Sequence, residues 1–184
     1  YLSGNITDFW RRWHISLSSW LRDYLYISLG GNRKGRLRTY VNLALTMLLG
    51  GLWHGANWTF IVWGFLNALF IMPSILFKSN RTHLDIVAQG RIFANFKEVG
   101  AILLTFGLTV FAWIFFRAET LTDAFQFIGD TFSPSLWSKP EQIKNIYVWL
   151  LVGFIVIEWL GREQQYAIAV TGRNWPKALR WLFY

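Results

Sequence analysis

The sequence predicts an all-α fold: a polytopic transmembrane helical bundle with an amphipathic helix at the membrane interface. Three observations predict it. Of 184 residues, 54% are hydrophobic and only 15% charged, against about 25% charged in a typical soluble domain. Two long stretches, 40–77 and 99–116, carry no formal charge. Aromatic residues reach 19% and include 12 Trp, a residue that gathers at membrane–water boundaries.

The elements follow in order. Residues 5–27 read as one amphipathic helix, with Asn5 as its cap and Asp8 in its first turn. Trp10, Trp13, Leu17, Trp20, Tyr24 and Ile27 recur at helical spacing. Arg11, Arg12, Arg22 and Asp23 are too frequent for a span, so the helix should lie at the interface. Gly30-Gly31-Asn32 ends it and opens a basic loop, Arg33 to Arg38. The uncharged run 40–77 is long enough for two short spans at ~20 residues each. Gly50, Gly51 and Gly55 interrupt it around His54. Two arrangements remain open: a hairpin of two spans, or a broken helix shielded from lipid. Residues 78–97 read as a polar loop with Lys78, Arg81, Arg91 and Lys97. Val99 to Phe116 is a clean span closed by Arg117-Ala118-Glu119. Residues 118–145 read as loop-like and amphipathic, with Pro134 and Pro140. Ile146 to Leu160 is a second short span, in which Glu158 is expected to pair with a cation such as Arg162. A polar connection over 161–180 precedes a last apolar run at Trp181 to Tyr184.

The formal net charge is +8. The cations sit between apolar stretches, where cytoplasmic loops and anionic headgroups place them, and no nucleic-acid motif is present. The absence of cysteine excludes disulfides, thiolate metal sites and a Cys nucleophile. The three histidines, His14, His54 and His83, lack metal-binding spacing, so no metal is expected. No GxSxG elbow, P-loop or Ser-based triad is visible.

His54 carries the strongest chemical signal. An ionisable side chain at membrane depth is costly and marks a functional site by default, and imidazole suits proton transfer near neutral pH. The bland alternative is a histidine that only hydrogen-bonds a neighbouring helix. His14 is the second candidate, provided the fold brings it near His54; otherwise it is one interfacial residue among aromatics. Arg11 and Arg12 are either headgroup anchors or an anion clamp for a phosphate or carboxylate.

Two blocks carry a resemblance. One runs Asp8-Phe9-Trp10-Arg11-Arg12-Trp13-His14-Ile15-Ser16-Leu17-Ser18 and continues to Arg33. The other is Gly50-Gly51-Leu52-Trp53-His54-Gly55-Ala56-Asn57-Trp58-Thr59-Phe60. With Ala112 to Glu119 they resemble the membrane-bound O-acyltransferase family, in the branch of alginate O-acetyltransferases and the D-alanyl transfer protein of teichoic acid synthesis. Ser28 stands where that branch usually has Pro. The resemblance implies that residues 1–184 form a partial acyltransferase domain, the C-terminal part of the family fold without its N-terminal half and last span.

It also implies a site and its partners. His54 would be the central catalytic residue and His14 its support, in a passage reached by donor and acceptor from opposite membrane faces. Trp10, Arg11, Arg12, Trp53 and Asn57 are the expected substrate-binding residues. No bound cofactor is expected. Acetyl-coenzyme A or an acyl carrier protein would supply the acyl group from the cytoplasmic side. A polysaccharide or an extracytoplasmic relay protein would receive it. The expected location is the bacterial cytoplasmic membrane, crossed several times. A transporter or a non-catalytic scaffold is the competing reading, since broken helices also mark transport sites.

Overall fold

The structure, a computed structural model, describes residues 2–77, 86–134, 145–164, 168 and 175–183. Lys78, Arg81, His83, Pro140 and Tyr184 lie outside these. The described residues form helices and connections, with no strand among them. In chain order the helices are α1 (Ile6–Arg12), α2 (Ile15–Trp20), a π-helical segment (Leu21–Tyr26), α3 (Arg36–Leu52), α4 (Trp58–Leu76), α5 (Phe96–Arg117), α6 (Leu121–Thr131), α7 (Asn145–Leu160) and α8 (Lys177–Phe183). α4 and α5, at 19 and 22 residues, are long and apolar enough to cross a membrane.

The uncharged run 40–77 folds as the hairpin. α3 and α4 lie side by side and make the most extensive helix–helix contact among the described residues. Glycines permit the approach. A Cβ on Gly51 would fall 2.3 Å from the Phe60 carbonyl oxygen, and one on Gly64 would fall 2.4 Å from that of Met47. Small residues of this kind let helix backbones meet where lipid supplies no hydrophobic drive. α5 returns along α4, and its end is tied to the hairpin turn by the Asn57 amide, which donates to the Glu119 carbonyl at 2.8 Å.

The N-terminal segment departs from expectation. It is not one helix over 5–27 but two arms meeting at Trp13-His14. Asn5 does cap α1, accepting from the Asp8 amide at 2.8 Å. α1 then follows α4: Thr7 bonds Ser74 at 2.9 Å, and the Trp10 indole donates to Asn67 at 3.2 Å. His14 takes a left-handed backbone conformation, φ 45° and ψ 52°, and ends the first arm. The second arm follows α3 the opposite way. Leu21 meets Gly50, and the Asn42 amide donates to the Leu29 and Gly31 carbonyls at 3.2 and 2.9 Å. The six apolar residues therefore do not share a face: Trp10, Trp13 and Leu17 turn inward, whereas Trp20, Tyr24 and Ile27 are exposed.

Two further expectations are corrected. Residues 121–131 are helical, because Thr120 and Asp123 form a reciprocal capping box that satisfies the first backbone N–H groups. Arg162 does not seek Glu158. Its guanidinium donates to the carbonyls of Val87, Ala88, Arg91 and Trp159 and lies over the Trp159 ring. Glu163 is the carboxylate within ion-pair range, at 3.9 Å.

Close glycine packing predicts a graded response to alanine in the full-length protein. Gly51→Ala and Gly64→Ala should each destabilise by about 1–3 kcal/mol, because the new methyl meets backbone. Gly50→Ala should be milder, since its methyl meets only the end of the Leu21 side chain, at 3.0 Å. Melting temperatures in detergent check the order; equal effects at all three positions would contradict it.

Candidate active site

The site begins with the hairpin turn. α3 ends at Leu52, and the next residues fold back through His54 N–H to the Gly51 carbonyl at 3.0 Å and Gly55 N–H to the Leu52 carbonyl at 3.1 Å. Gly55 has φ 154°, and a Cβ there would lie 2.8 Å from the Phe60 ring, so both backbone and space call for glycine. Asn57 then caps α4 by accepting from Thr59 N–H at 3.1 Å. His54 is thereby fixed at the head of the hairpin, outside both of its helices.

Aromatic rings hold the His54 imidazole. Trp53, Trp63 and Phe116 meet it edge-on at centroid distances of 5.0, 5.4 and 4.9 Å, and Phe60 lies 6.1 Å away. No hydrogen bond reaches either ring nitrogen among the described residues. Burial among these rings pushes the imidazole pKa below its ordinary value, and His14 acts in the same direction. The neutral, proton-accepting form is the one favoured.

His14 reaches the same place from the other direction. The kink at Trp13-His14 puts it beside His54 on the wall of one cavity of about 480 Å³, within the usual range for small-molecule sites. Four tryptophans, Trp10, Trp13, Trp63 and Trp113, form much of the remaining wall. They are braced against one another: Trp13 lies 5.4 Å from Trp113, and Trp10 lies 5.7 Å from Trp63. Asn67 accepts from the Trp10 indole and donates to the Trp63 carbonyl at 2.8 Å, locking this pair. Leu17 and Phe116 complete the apolar lining, and Arg117 is its only formally charged member. A second cavity of about 460 Å³ shares Trp10, Leu17 and Trp63 with the first, so these three residues partition the two spaces.

The sequence profile of the membrane-bound O-acyltransferase family matches residues 2–116, which include every cavity residue named above except Arg117. The chain belongs to the membrane-bound O-acyltransferase family. A "Probable alginate O-acetylase" of Azotobacter vinelandii is 45% identical over 185 residues, covering 97% of this chain and 34% of that protein. A peptidoglycan O-acetyltransferase of Helicobacter pylori is 44% identical over 124 residues, 67% of this chain and 22% of its own length. A teichoic acid D-alanyltransferase of Bacillus subtilis is 28% identical over 126 residues, 65% and 31% of the two chains. The chain thus spans about a third of the length of the alginate relatives.

Within this chain the expected site residues separate. His14, His54 and Trp10 share the cavity. Arg11 lines the second cavity with Ser18 and Arg22. Arg12 is ion-paired with Asp8 at 3.1 Å and lines neither. Trp53 touches the edge of His54 but is 63% exposed and lies outside the cavity wall. Asn57 spends its amide on two backbone partners, so its observed work is to hold the turn. Trp63, Trp113, Phe116, Leu17 and Arg117 line the cavity without having been singled out as site residues. Leu17 stood in the first resemblance block and Trp113, Phe116 and Arg117 in the block Ala112 to Glu119, whereas Trp63 stood in none.

The left-handed backbone at His14 predicts which substitutions the kink tolerates. Asn and His accept this conformation more readily than other non-glycine residues, and β-branched residues least. In the full-length protein His14→Asn should keep the wild-type melting temperature, while His14→Val should lose on the order of 1–2 kcal/mol. Equal stability of the two variants would mean that the kink relaxes without cost.

Proposed function

We propose that the full-length protein is a membrane-bound O-acetyltransferase that moves an acetyl group from a thioester donor to a hydroxyl acceptor for modification of an extracellular polysaccharide. The observation that carries this reading is the convergence of His14 and His54, from separate segments, on one cavity. Family membership and the named activities of the alginate and peptidoglycan relatives support the reaction class, and displace the transporter reading.

The chemistry follows from the environment. His54, kept neutral by burial, accepts the proton of the acceptor hydroxyl as that oxygen attacks the thioester carbonyl. The carbon–oxygen bond forms, the carbon–sulfur bond breaks, and the departing thiolate takes up the proton. His14 orients the acceptor or meets the developing charge. Apolar walls keep water from consuming the thioester and strengthen each electrostatic contact. The donor is acetyl-coenzyme A or an acetylated carrier protein. The acceptor is the polymer or a relay protein on the far side.

The hairpin supports an orientation. α3 rises by roughly 25 Å at 1.5 Å per residue, so the Arg33–Arg38 run and His54 lie at opposite ends. With the basic run in the cytoplasm, His54 sits towards the extracytoplasmic face of a multi-pass protein in the bacterial inner membrane, close to an acceptor arriving there.

His54→Gln in the full-length protein, matched for expression, should lower acetyl transfer by about 10²–10⁴-fold. Polymer acetylation measured by NMR reads this out, and near-normal acetylation would reject the proposal. The pH profile is a second check. Because the His54 pKa is depressed, kcat/KM should stay level down through pH ~6.5 and fall only below it. An acidic limb above that value would contradict a neutral His54 base.

A further inference from the structure

Two cavities meet at one partition. The first, of about 480 Å³, holds His14 and His54, and the second, of about 460 Å³, lies beyond Trp10, Leu17 and Trp63. The second runs along the hairpin away from its head, past Met47 and Leu43 of α3 and Ile71 and Ile75 of α4. It therefore extends from the partition towards the end of the hairpin that carries Arg33–Arg38. Thr7, Arg11, Ser18, Ser19 and Arg22 give this apolar space a polar side. In the orientation argued above, a donor from the cytoplasm meets the second cavity first, the partition next and His54 last.

The three partition residues differ in how firmly they are held. The Trp10 indole donates to Asn67 at 3.2 Å, and its ring meets Trp63 edge-on at 5.7 Å. Trp63 is 6% exposed, its carbonyl is bonded by Asn67, and its ring packs on Phe116 at 5.2 Å. Both tryptophans belong to the buried apolar clusters of the chain. Leu17 belongs to neither cluster and is only half-buried. It projects from α2, three residues after the kink at His14. A leucine that packing does not clamp exchanges among staggered rotamers. The partition thus has two fixed members and one adjustable member.

We propose that Leu17 sets the size of the acyl group that crosses the partition to His54, so that acetyl passes and longer acyl groups are held back. The inference rests on the acetyl-transfer reading above. An acetyl group carries one methyl beyond the thioester carbonyl, and a turn of the Leu17 side chain makes room for it. Each further methylene must fit between the branched end of Leu17 and two indoles that cannot retreat. Overpacking against fixed walls is not relieved by small shifts. The carbonyl of a longer acyl group then stops short of His54, and the acceptor oxygen finds no carbon to attack. Leu17 takes part in no bond change; it decides which donor arrives.

The test uses inside-out membrane vesicles that carry the full-length protein and its native acceptor, so that donors reach the cytoplasmic face. The donors are acetyl-, propionyl- and butyryl-pantetheine, which share the arm common to coenzyme A and carrier proteins. Acyl esters formed in the vesicles, released by base and quantified by mass spectrometry, give relative kcat/KM. Ratios between donors within one variant cancel differences in protein amount and stability. Wild type should prefer acetyl to butyryl by about 100-fold or more, and Leu17→Ala should narrow that ratio by about tenfold or more. Leu17→Phe should widen the preference for acetyl over propionyl. A wild-type preference below about threefold overturns the proposal, since one methylene in a selective pocket is worth more than that. So does a Leu17→Ala protein that keeps the wild-type ratio, or that folds but transfers none of the three. Should Leu17→Ala unfold, Leu17→Val, one carbon smaller than leucine, decides by its propionyl-to-acetyl ratio. His54→Gln run in parallel separates the two claims. Transfer retained there, or none from acetyl-pantetheine by wild type, rejects the acetyl-transfer reading. A dead His54→Gln beside an unchanged ratio in Leu17→Ala rejects only the role of Leu17.

Discussion

The backbone contact between α3 and α4 at Gly51 and Gly64 is the constraint from which the site follows. With no side chain in either place, carbonyl oxygens of one helix sit where a methyl group would otherwise be. That closeness dictates a tight turn, and the tight turn dictates a positive-φ glycine at Gly55. His54, one residue before it, has its direction set by the same geometry. In a membrane this kind of contact replaces the hydrophobic drive that water would supply, because lipid offers apolar side chains no reason to leave it.

Polar side chains within the apolar body do the remaining assembly. Each joins elements distant in sequence, and each does so by satisfying backbone or indole groups that lipid would leave unpaired. Asn42, fully buried, holds the turn at Leu29–Gly31 against α3. Asn67 joins α1 to α4, and Asn57 joins the α5–α6 junction to the His54 turn. The three amides fasten the two arms of the N-terminal segment and the end of α5 around one space. None has to touch a reactant for the cavity to depend on it. Arg162, with its four carbonyl partners, does similar work at the end of α7, where a cation without a partner would be costly.

Much of this was legible in the residues, for identifiable reasons. The apolar runs, the end of α5 and the place of His54 were readable because charge vanishes over 40–77 and 99–116 and Gly50, Gly51 and Gly55 cluster near the middle of the first, although that cluster left hairpin and broken helix equally open. The cap at Asn5 was readable because its chemistry is local. The kink at His14 was not, since neither Gly nor Pro announces it and the apolar spacing runs through it unbroken. Helical periodicity suggested a face that the chain divides between inward and outward sides. α6 escaped notice although Thr120 and Asp123 carry a capping signature. Arg12 looked equivalent to Arg11 until the i−4 carboxylate of Asp8 claimed it. Trp63 gave no signal at all, because one tryptophan in an apolar helix resembles any other until the fold sets it against His54.

That no hydrogen bond reaches the His54 ring among the described residues fits the same physics. In water-exposed active sites a carboxylate commonly orients the base and stabilises its charged form. A carboxylate beside His54 would need its own desolvation repaid and would raise the imidazole pKa. Aromatic edges orient the ring by shape and weak electrostatics instead, while burial disfavours its charged form. In the proposed reaction such a base would be weaker, but a thioester is already activated, so geometry would supply what basicity does not. Under the proposed function, an aromatic cradle would suit a strong acyl donor and a short-lived proton, and would suit the cleavage of an unactivated ester or amide poorly.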